Sequence, residues 1–531
     1  MHMRVAICVA ALGLSGALVV AQERLDTSTN WRIRQEATAN SEVMLTVHKL
    51  TDVYGPRLTG SPNLEAAGRW AIEQMEAWGL TAGRMEPFDF GHAGWSNERL
   101  SVHLVSPVTD ALVVEALAWT PGTDGALRAG VFQLTVPERP TSDTLEAHLR
   151  GVRNEVQGKV VLVGPHTEVG VSLNAAARRR EDAELSRQFN APPPAAPRGG
   201  RGGRGGGRDR ESPDRKLTAR EVEARVAAFL REAGAVARVN DAGRDHGQIR
   251  AFHNRTYDVS QVVPTVVMRN EDYGRISRLL AFGSDPVELE LDIRNRTHPD
   301  GATVYNAVAE LPGTDLAEEV VMLGGHLDSW HAATGATDNA VGAAVMMEAV
   351  RVLAALGVQP RRTIRVALWG GEEQGLLGSK AYVEAHFGTA EEPTSEHDRF
   401  GGYFNIDAGT GRARGAQVFG PPAAGAILDD VLAPFRDLGV IGARTTNSRR
   451  SGGSDHTSFN AAGLPGISMQ QDPIQYGSYT WHTNLDTYER VLEQDAIASS
   501  IAVAAAVYHL AMRDERLPRF APGEMPPVRG R

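Results

Sequence analysis

The sequence predicts an α/β fold, a doubly wound mixed sheet interrupted by an inserted α+β domain. Three observations predict it. From Tyr305 onward, apolar runs of strand length alternate with helical patterns, the order that builds βαβ units. Between about 110 and 290 that alternation gives way to short β-rich runs. And the chain, at 531 residues, exceeds one ordinary domain.

Each element has its own signal. Residues 43–54 read as helical, and Gly55, Pro56 and Gly60 mark a turn. Ser61 and Pro62 then open a helix, with a hydroxyl at the cap and a fixed φ at the first position. Leu64, Ala67, Ala71, Ile72, Met75 and Trp78 recur on one face, and Gly79 closes it. Residues 100–105 read as a strand. In the insert, 158–164 and 262–268 read as strands and 219–233 as a helix. Beyond it, strands are expected at 319–325, 363–369, 401–406 and 464–469. Helices are expected at 339–356, 375–386, 424–438 and 494–512.

The first residues carry a different pattern. Arg4 precedes an apolar run from Val5 to Ala21 that ends in small residues before Gln22 and Glu23, which reads as a secretory signal peptide over 1–21. No later segment reads as apolar enough to span a bilayer. The expected organisation is therefore 1–21 signal peptide, 30–110 and 295–515 catalytic domain in two parts, and 111–290 the insert. The expected location is secreted or periplasmic, with no membrane partner after cleavage. Within the insert, 190–215 is rich in Arg and Gly and lacks the apolar residues needed to order it. Arg/Gly repeats can bind RNA, but a surface loop on an exported protein is the expectation here. The net charge of −10 likewise gives no reason to expect nucleic acid.

Cys8, inside the leader, is the only cysteine. The mature chain then has neither disulfides nor a cysteine nucleophile, and any metal must be held by His, Asp and Glu. Candidates lie at strand exits, where ligands bind in open α/β sheets. His326 and Asp328 follow the first of these strands, and Asp338 sits in a Gly-rich loop before a helix. Glu372 and Glu373 follow the second strand, Asp407 the third, and His482 lies in a late loop. Two His and three carboxylates suit two divalent metals that share one carboxylate. Each residue alone is weak evidence, since a single acid at a strand end is more often a cap or a solvated side chain.

The segments around these residues, 324–330, 335–340, 368–379, 405–409, 453–456 and 482–487, resemble in order and spacing the M28 family of zinc peptidases. Residues 52–65 and 407–410 resemble one subgroup of it, in which the insert is similar to a protease-associated domain. The resemblance implies two Zn²⁺ per chain: His326 and Asp407 on one, Glu373 and His482 on the other, Asp338 bridging. It implies that Asp328 orients the His326 ring and that Glu372 is the general base that takes a proton from the attacking water. It implies a peptide substrate, aminopeptidase or dipeptidase action, and a homodimer. The sequence departs from the family at Asn339, where relatives often carry Asp, and at His331, for which a solvated loop residue is expected rather than a stray ligand. Asp455 and His456 match a family segment without an assigned role. Two alternatives are a non-catalytic binding protein on the same scaffold and a single-zinc acyltransferase of the glutaminyl cyclase type; the full ligand set argues against both.

Overall fold

The computed structural model describes residues 25–173, 175, 178–190 and 215–528. The expected signal peptide with Cys8, and nearly all of the Arg/Gly segment, lie outside the described residues.

The strands are, in chain order, β1 (Thr81–Asp89), β2 (Gly94–Ser106), β3 (Asp110–Ala111), β4 (Val114–Ala116), β5 (Leu127–Leu134), β6 (Val160–Val163), β7 (Ala237–Asp241) and β8 (Thr265–Met268). They continue as β9 (Glu288–His298), β10 (Thr303–Leu311), β11 (Leu316–His326), β12 (Arg362–Trp369), β13 (Phe400–Asn405), β14 (Ala413–Phe419), β15 (Gly442–Thr446) and β16 (Gly466–Gln471). They form two mixed sheets. One runs β1-β10-β12-β11-β13-β16-β14-β15 and the other β3-β2-β9-β5-β6-β7-β8-β4.

In the first sheet β12, β11, β13 and β16 are parallel neighbours. The chain leaves β11, forms β12 on one side of it, then crosses to form β13 on the other. That reversal opens a crevice at the carboxyl ends of these strands. Gly324 of β11 lets the strands pack closely there, since a Cβ on it would fall 1.8 Å from the Ala367 carbonyl of β12.

Helices cover this sheet. Helix Pro62–Ala77 starts where expected, with the Ser61 hydroxyl accepting the Leu64 N–H at 3.3 Å, and it buries Leu64, Ala67, Ala71, Ile72 and Met75. Trp78 caps its end and packs, partly buried, against the same core. Helix Val341–Ala355 is apolar nearly all round and buried, as its composition demands. Helix Glu493–Met512 corrects one expectation: by length and composition it could cross a membrane. It is buried instead, within the hydrophobic core that also contains helix Val341–Ala355.

The second sheet begins at Gly94, so β2 pairs with β9 in it and does not belong with the residues before the expected boundary at 111. Its own core is built from Val160, Leu162, Val239, Val266, Leu289 and Leu291.

Candidate metal centre

His326 is the last residue of β11, Glu372 and Glu373 sit in the turn after β12, and Asp407 lies two residues past β13. Asp338 is in a wide helical turn, Ala336–Ala340, and His482 follows a second such turn, Tyr476–Thr480. These five elements converge on one buried point. His326 Nε2 is 3.2 Å from Asp338 Oδ1 and 3.4 Å from Asp407 Oδ1. His482 Nε2 is 3.1 Å from Asp338 Oδ2 and 2.9 Å from Glu373 Oε2. Asp338 thus presents one carboxylate oxygen to each histidine, and two three-residue groups, His326–Asp338–Asp407 and Asp338–Glu373–His482, meet at it.

The donor set fits a pair of divalent cations. Four ligands about 2.0–2.1 Å from a tetrahedral zinc stand about 3.3 Å apart, the spacing seen here. Glu373 Oε1 and His482 Nδ1 are buried without a hydrogen-bond partner, and such groups are costly unless something else satisfies them. The carboxylates also load the imidazoles. Burial pulls the His482 ring down, but Glu373 and Asp338 win and push it up to about 9. His326 is raised in the same way, chiefly by Asp407 against burial. Burial drives the Glu372 carboxyl well above the usual range. Asp407, Asp455 and Glu373 push it the same way, and His326 opposes.

A shell of hydrogen bonds fixes these side chains. Asp328 meets the His326 ring through its backbone. The His326 ring is held at Nδ1 by the Asp328 backbone carbonyl, 2.9 Å away, while the Asp328 carboxylate stands 3.6 Å off, too far for a hydrogen bond. That carboxylate instead accepts the backbone N–H groups of Glu372 and Glu373 at 3.1 and 3.2 Å, and the Thr59 hydroxyl at 3.0 Å. It therefore sets the turn that carries both glutamates. Trp330 Nε1 donates to Glu373 Oε2 at 2.8 Å.

Two more residues were missed by the sequence analysis. Arg57 is fully buried, and its guanidinium donates only to carbonyls: Leu327 at 2.6 Å, Leu50 at 2.6 Å, Thr334 at 2.8 Å and Gly335 at 3.0 Å. Burial lowers its guanidinium to about 10, while Asp486, Asp328 and Asp338 work to keep it charged. Asp486 accepts the N–H groups of Thr337 and Asp338, at 2.6 and 3.1 Å, and so anchors the turn that presents Asp338. Both lay inside quoted segments, but nothing local distinguishes a buried Arg or Asp from a solvated one.

His331 is neither in the metal-like cluster nor a solvated loop residue. Its Nε2 donates to the Ala116 carbonyl of β4 at 2.6 Å and its ring packs edge-on against Trp95. Asn339 donates to the Ile406 carbonyl at 2.9 Å, next to Asp407. Asp455 is fully buried, with both oxygens unpartnered, and adds its charge to the Glu372 environment. His456 lines a separate cavity of about 610 Å³.

Residues 306–508 match the model of Peptidase family M28, and carboxypeptidase Q of Rattus norvegicus is 27% identical over 475 residues, spanning 88% of this chain and 85% of the relative. The chain therefore carries a peptidase family M28 segment over residues 306–508. It is a metallopeptidase, and the crevice at β11 and β13 lies within the family segment. The fold agrees. A peptidase M28 precursor from Shewanella amazonensis SB2B superposes with a TM-score of 0.62 at 24% identity, over 95% of this chain and 99% of that one. A zinc aminopeptidase from Bacillus subtilis gives 0.52 at 18% identity, over 90% and 96%.

Proposed function

We propose that this M28 peptidase is an exported di-zinc exopeptidase, hydrolysing peptide bonds at a chain end. The observation that carries the proposal is the Asp338 carboxylate, whose two oxygens face two separate ligand groups. His326 and Asp407 would hold one zinc, Glu373 and His482 the other, and Asp338 both. The relatives support the chemistry: one is named for carboxypeptidase action and one neighbour for zinc-dependent aminopeptidase action. The apolar run from Val5 to Ala21 supports export, and the second sheet, built within 94–298, is proposed to be the protease-associated-like insert.

When bound, the zinc pair supplies Lewis acidity at the scissile carbonyl and at the attacking water. Glu372 receives the water's proton at its carboxylate and returns it to the leaving nitrogen. The Asp328 carboxylate holds the backbone of Glu372 and Glu373 together, so base and ligand keep one spacing. Trp330 holds Glu373 in orientation from the other side.

Substituting Glu372→Gln tests the assignment. The variant should bind zinc as wild type does, by elemental analysis, and lose at least about 10²-fold in kcat on dipeptides or aminoacyl-nitroanilides. Retained hydrolysis would remove Glu372 as base. Wild-type protein that holds less than one zinc, and whose activity chelators leave unchanged, would remove the metal assignment.

A further inference from the structure

The second sheet carries a cavity of its own, of about 820 Å³, within the size range of small-molecule sites. None of the residues assigned to the metals or to the base lines it. One wall is helix Ala219–Glu232, which presents Ala224, Ala227 and Leu230 at intervals of three residues. Another is strand β8 with the segment before it, through Val262, Val263, Thr265 and Val267. Leu230, Val263 and Val267 are buried, so the depth of the cavity is apolar. The short side chains of Ala224 and Ala227 leave open a space that larger ones would fill.

Cations stand at the mouth. Arg220 and Arg255 are exposed and Arg250 is half-buried. The loop that carries Arg250 and Arg255 is fixed at its base, where Ile249 N–H donates to Asn484 Oδ1 at 2.8 Å and Asn484 N–H donates back to the Ile249 carbonyl at 3.0 Å. Arg250 Nε donates to the Trp481 carbonyl at 3.1 Å, and the guanidinium lies 4.4 Å from the centre of the Trp481 ring. These contacts hold the cation without neutralising it. Among the described residues, neither its two terminal nitrogens nor the guanidinium groups of Arg220 and Arg255 meet a carboxylate. The acids in the lining are engaged: Glu223 pairs with Arg238 at 2.6 Å, and Asp241 accepts the Asn270 side chain at 3.1 Å and the Thr167 N–H at 2.8 Å. Arg238 makes a fourth arginine, and four against two acids leave the lining positive. His253 adds no charge, because burial and then Arg255 push it down to about 4. Burial and then Arg244 lower the Arg250 pKa, so an anion at this point is favoured.

We propose that this cavity is a binding site for a single-chain amphiphile with a carboxylate head, its apolar chain between helix Ala219–Glu232 and β8 and its head on Arg250. The site is separate from the peptidase centre, and the proposal does not depend on the function assigned to that centre. A guanidinium presents two parallel N–H donors that match a carboxylate. An uncharged apolar ligand would fill the depth but take water from Arg250 and give nothing back. A small anion would pair with Arg250 but leave the apolar walls wet. A ligand that carries both groups satisfies both surfaces. Arg220 and Arg255 add attraction for an anion at the mouth.

Isothermal titration of the zinc-loaded protein with decanoate tests the proposal, with 1-decanol as the chain without the charge and acetate as the charge without the chain. Wild type should bind one decanoate per chain with a Kd below about 1 mM, and both controls at least tenfold more weakly. Arg250→Gln should weaken decanoate at least fivefold. Ala227→Phe, which fills the space beside the helix, should weaken it at least tenfold. Both are read on protein that melts as wild type does. The absence of saturable decanoate binding to wild type overturns the proposal, and so does decanol that binds as tightly as decanoate. Decanoate binding that either folded variant leaves unchanged overturns it too, because the carboxylate would then sit elsewhere, as it would on the zinc pair.

Discussion

The strongest constraint at the centre is electrostatic. Asp328, Asp338, Glu373, Asp407, Asp455 and Asp486 share one small volume, and the fully buried cation beside them is Arg57. Its guanidinium's hydrogen bonds all go to backbone carbonyls of the segment before it and of the loops that carry Asp328 and Asp338. Removing it takes a donor from each of four carbonyls, of which Gly335 keeps the Ala340 N–H, and leaves several acids without a counter-charge. Each unsatisfied buried carbonyl costs about 1–3 kcal/mol. Arg57→Met, which keeps much of the stem, should therefore lower stability by at least about 3 kcal/mol in urea denaturation. It should also weaken zinc binding in competition with a chelator, because the Asp338 turn loses its strap. A variant within about 1 kcal/mol of wild type in both measurements would show that Arg57 is incidental.

At the scale of elements, the parallel strands β11, β12 and β13 put the ligands where they are, and their packing is testable at one atom. A Cβ on Gly324 would stand 1.8 Å from the Ala367 carbonyl, so Gly324→Ala must part β11 from β12. Overpacking of this kind costs about 1–3 kcal/mol, and activity should fall with it because His326 is two residues on. Gly151, at the end of helix Ser142–Gly151, has nothing within 4 Å of its virtual Cβ, and Gly151→Ala should be neutral or stabilising in thermal melts. The contrast shows what sequence could reveal. Glycine-rich strand exits and five ligand-type residues were legible because each element carries its own pattern, as Ser61 and Pro62 do for helix Pro62–Ala77. The joining of Arg57 to Leu327 across 270 positions, or of Ile249 to Asn484 across 235, has no local pattern. Asp328 shows the same limit within one turn: its presence was legible, but whether its carbonyl or its carboxylate reached His326 depended on where the glutamate turn came to rest.

Across the whole molecule, the two sheets are joined by polar contacts at several points. Arg179, which lies between β6 and β7 in sequence, pairs with Asp495 of the long core helix at 2.7 Å. His331 donates to Ala116 of β4, so that short edge strand ties the second sheet to the catalytic loops. The same strand carries Glu115, whose carboxyl burial alone pushes up from 4.5 to about 8. The sign follows from linkage. The folded state holds a proton on Glu115 that the unfolded chain releases above about pH 4.5. The stability from this group is complete below pH 4.5 and is lost as pH rises toward 8. Glu115→Gln keeps the shape without the titration. The difference in unfolding free energy between variant and wild type, measured by urea denaturation from pH 5 to pH 8, should therefore move steadily in favour of the variant. By pH 8 the change should reach a few kcal/mol, on the order of the shift at about 1.4 kcal/mol per unit. Taking the difference at each pH removes every other group's titration, including that of the metal centre. A flat difference across that range would mean that Glu115 is solvated, and that β4 sits more loosely against the catalytic sheet than the His331–Ala116 contact requires.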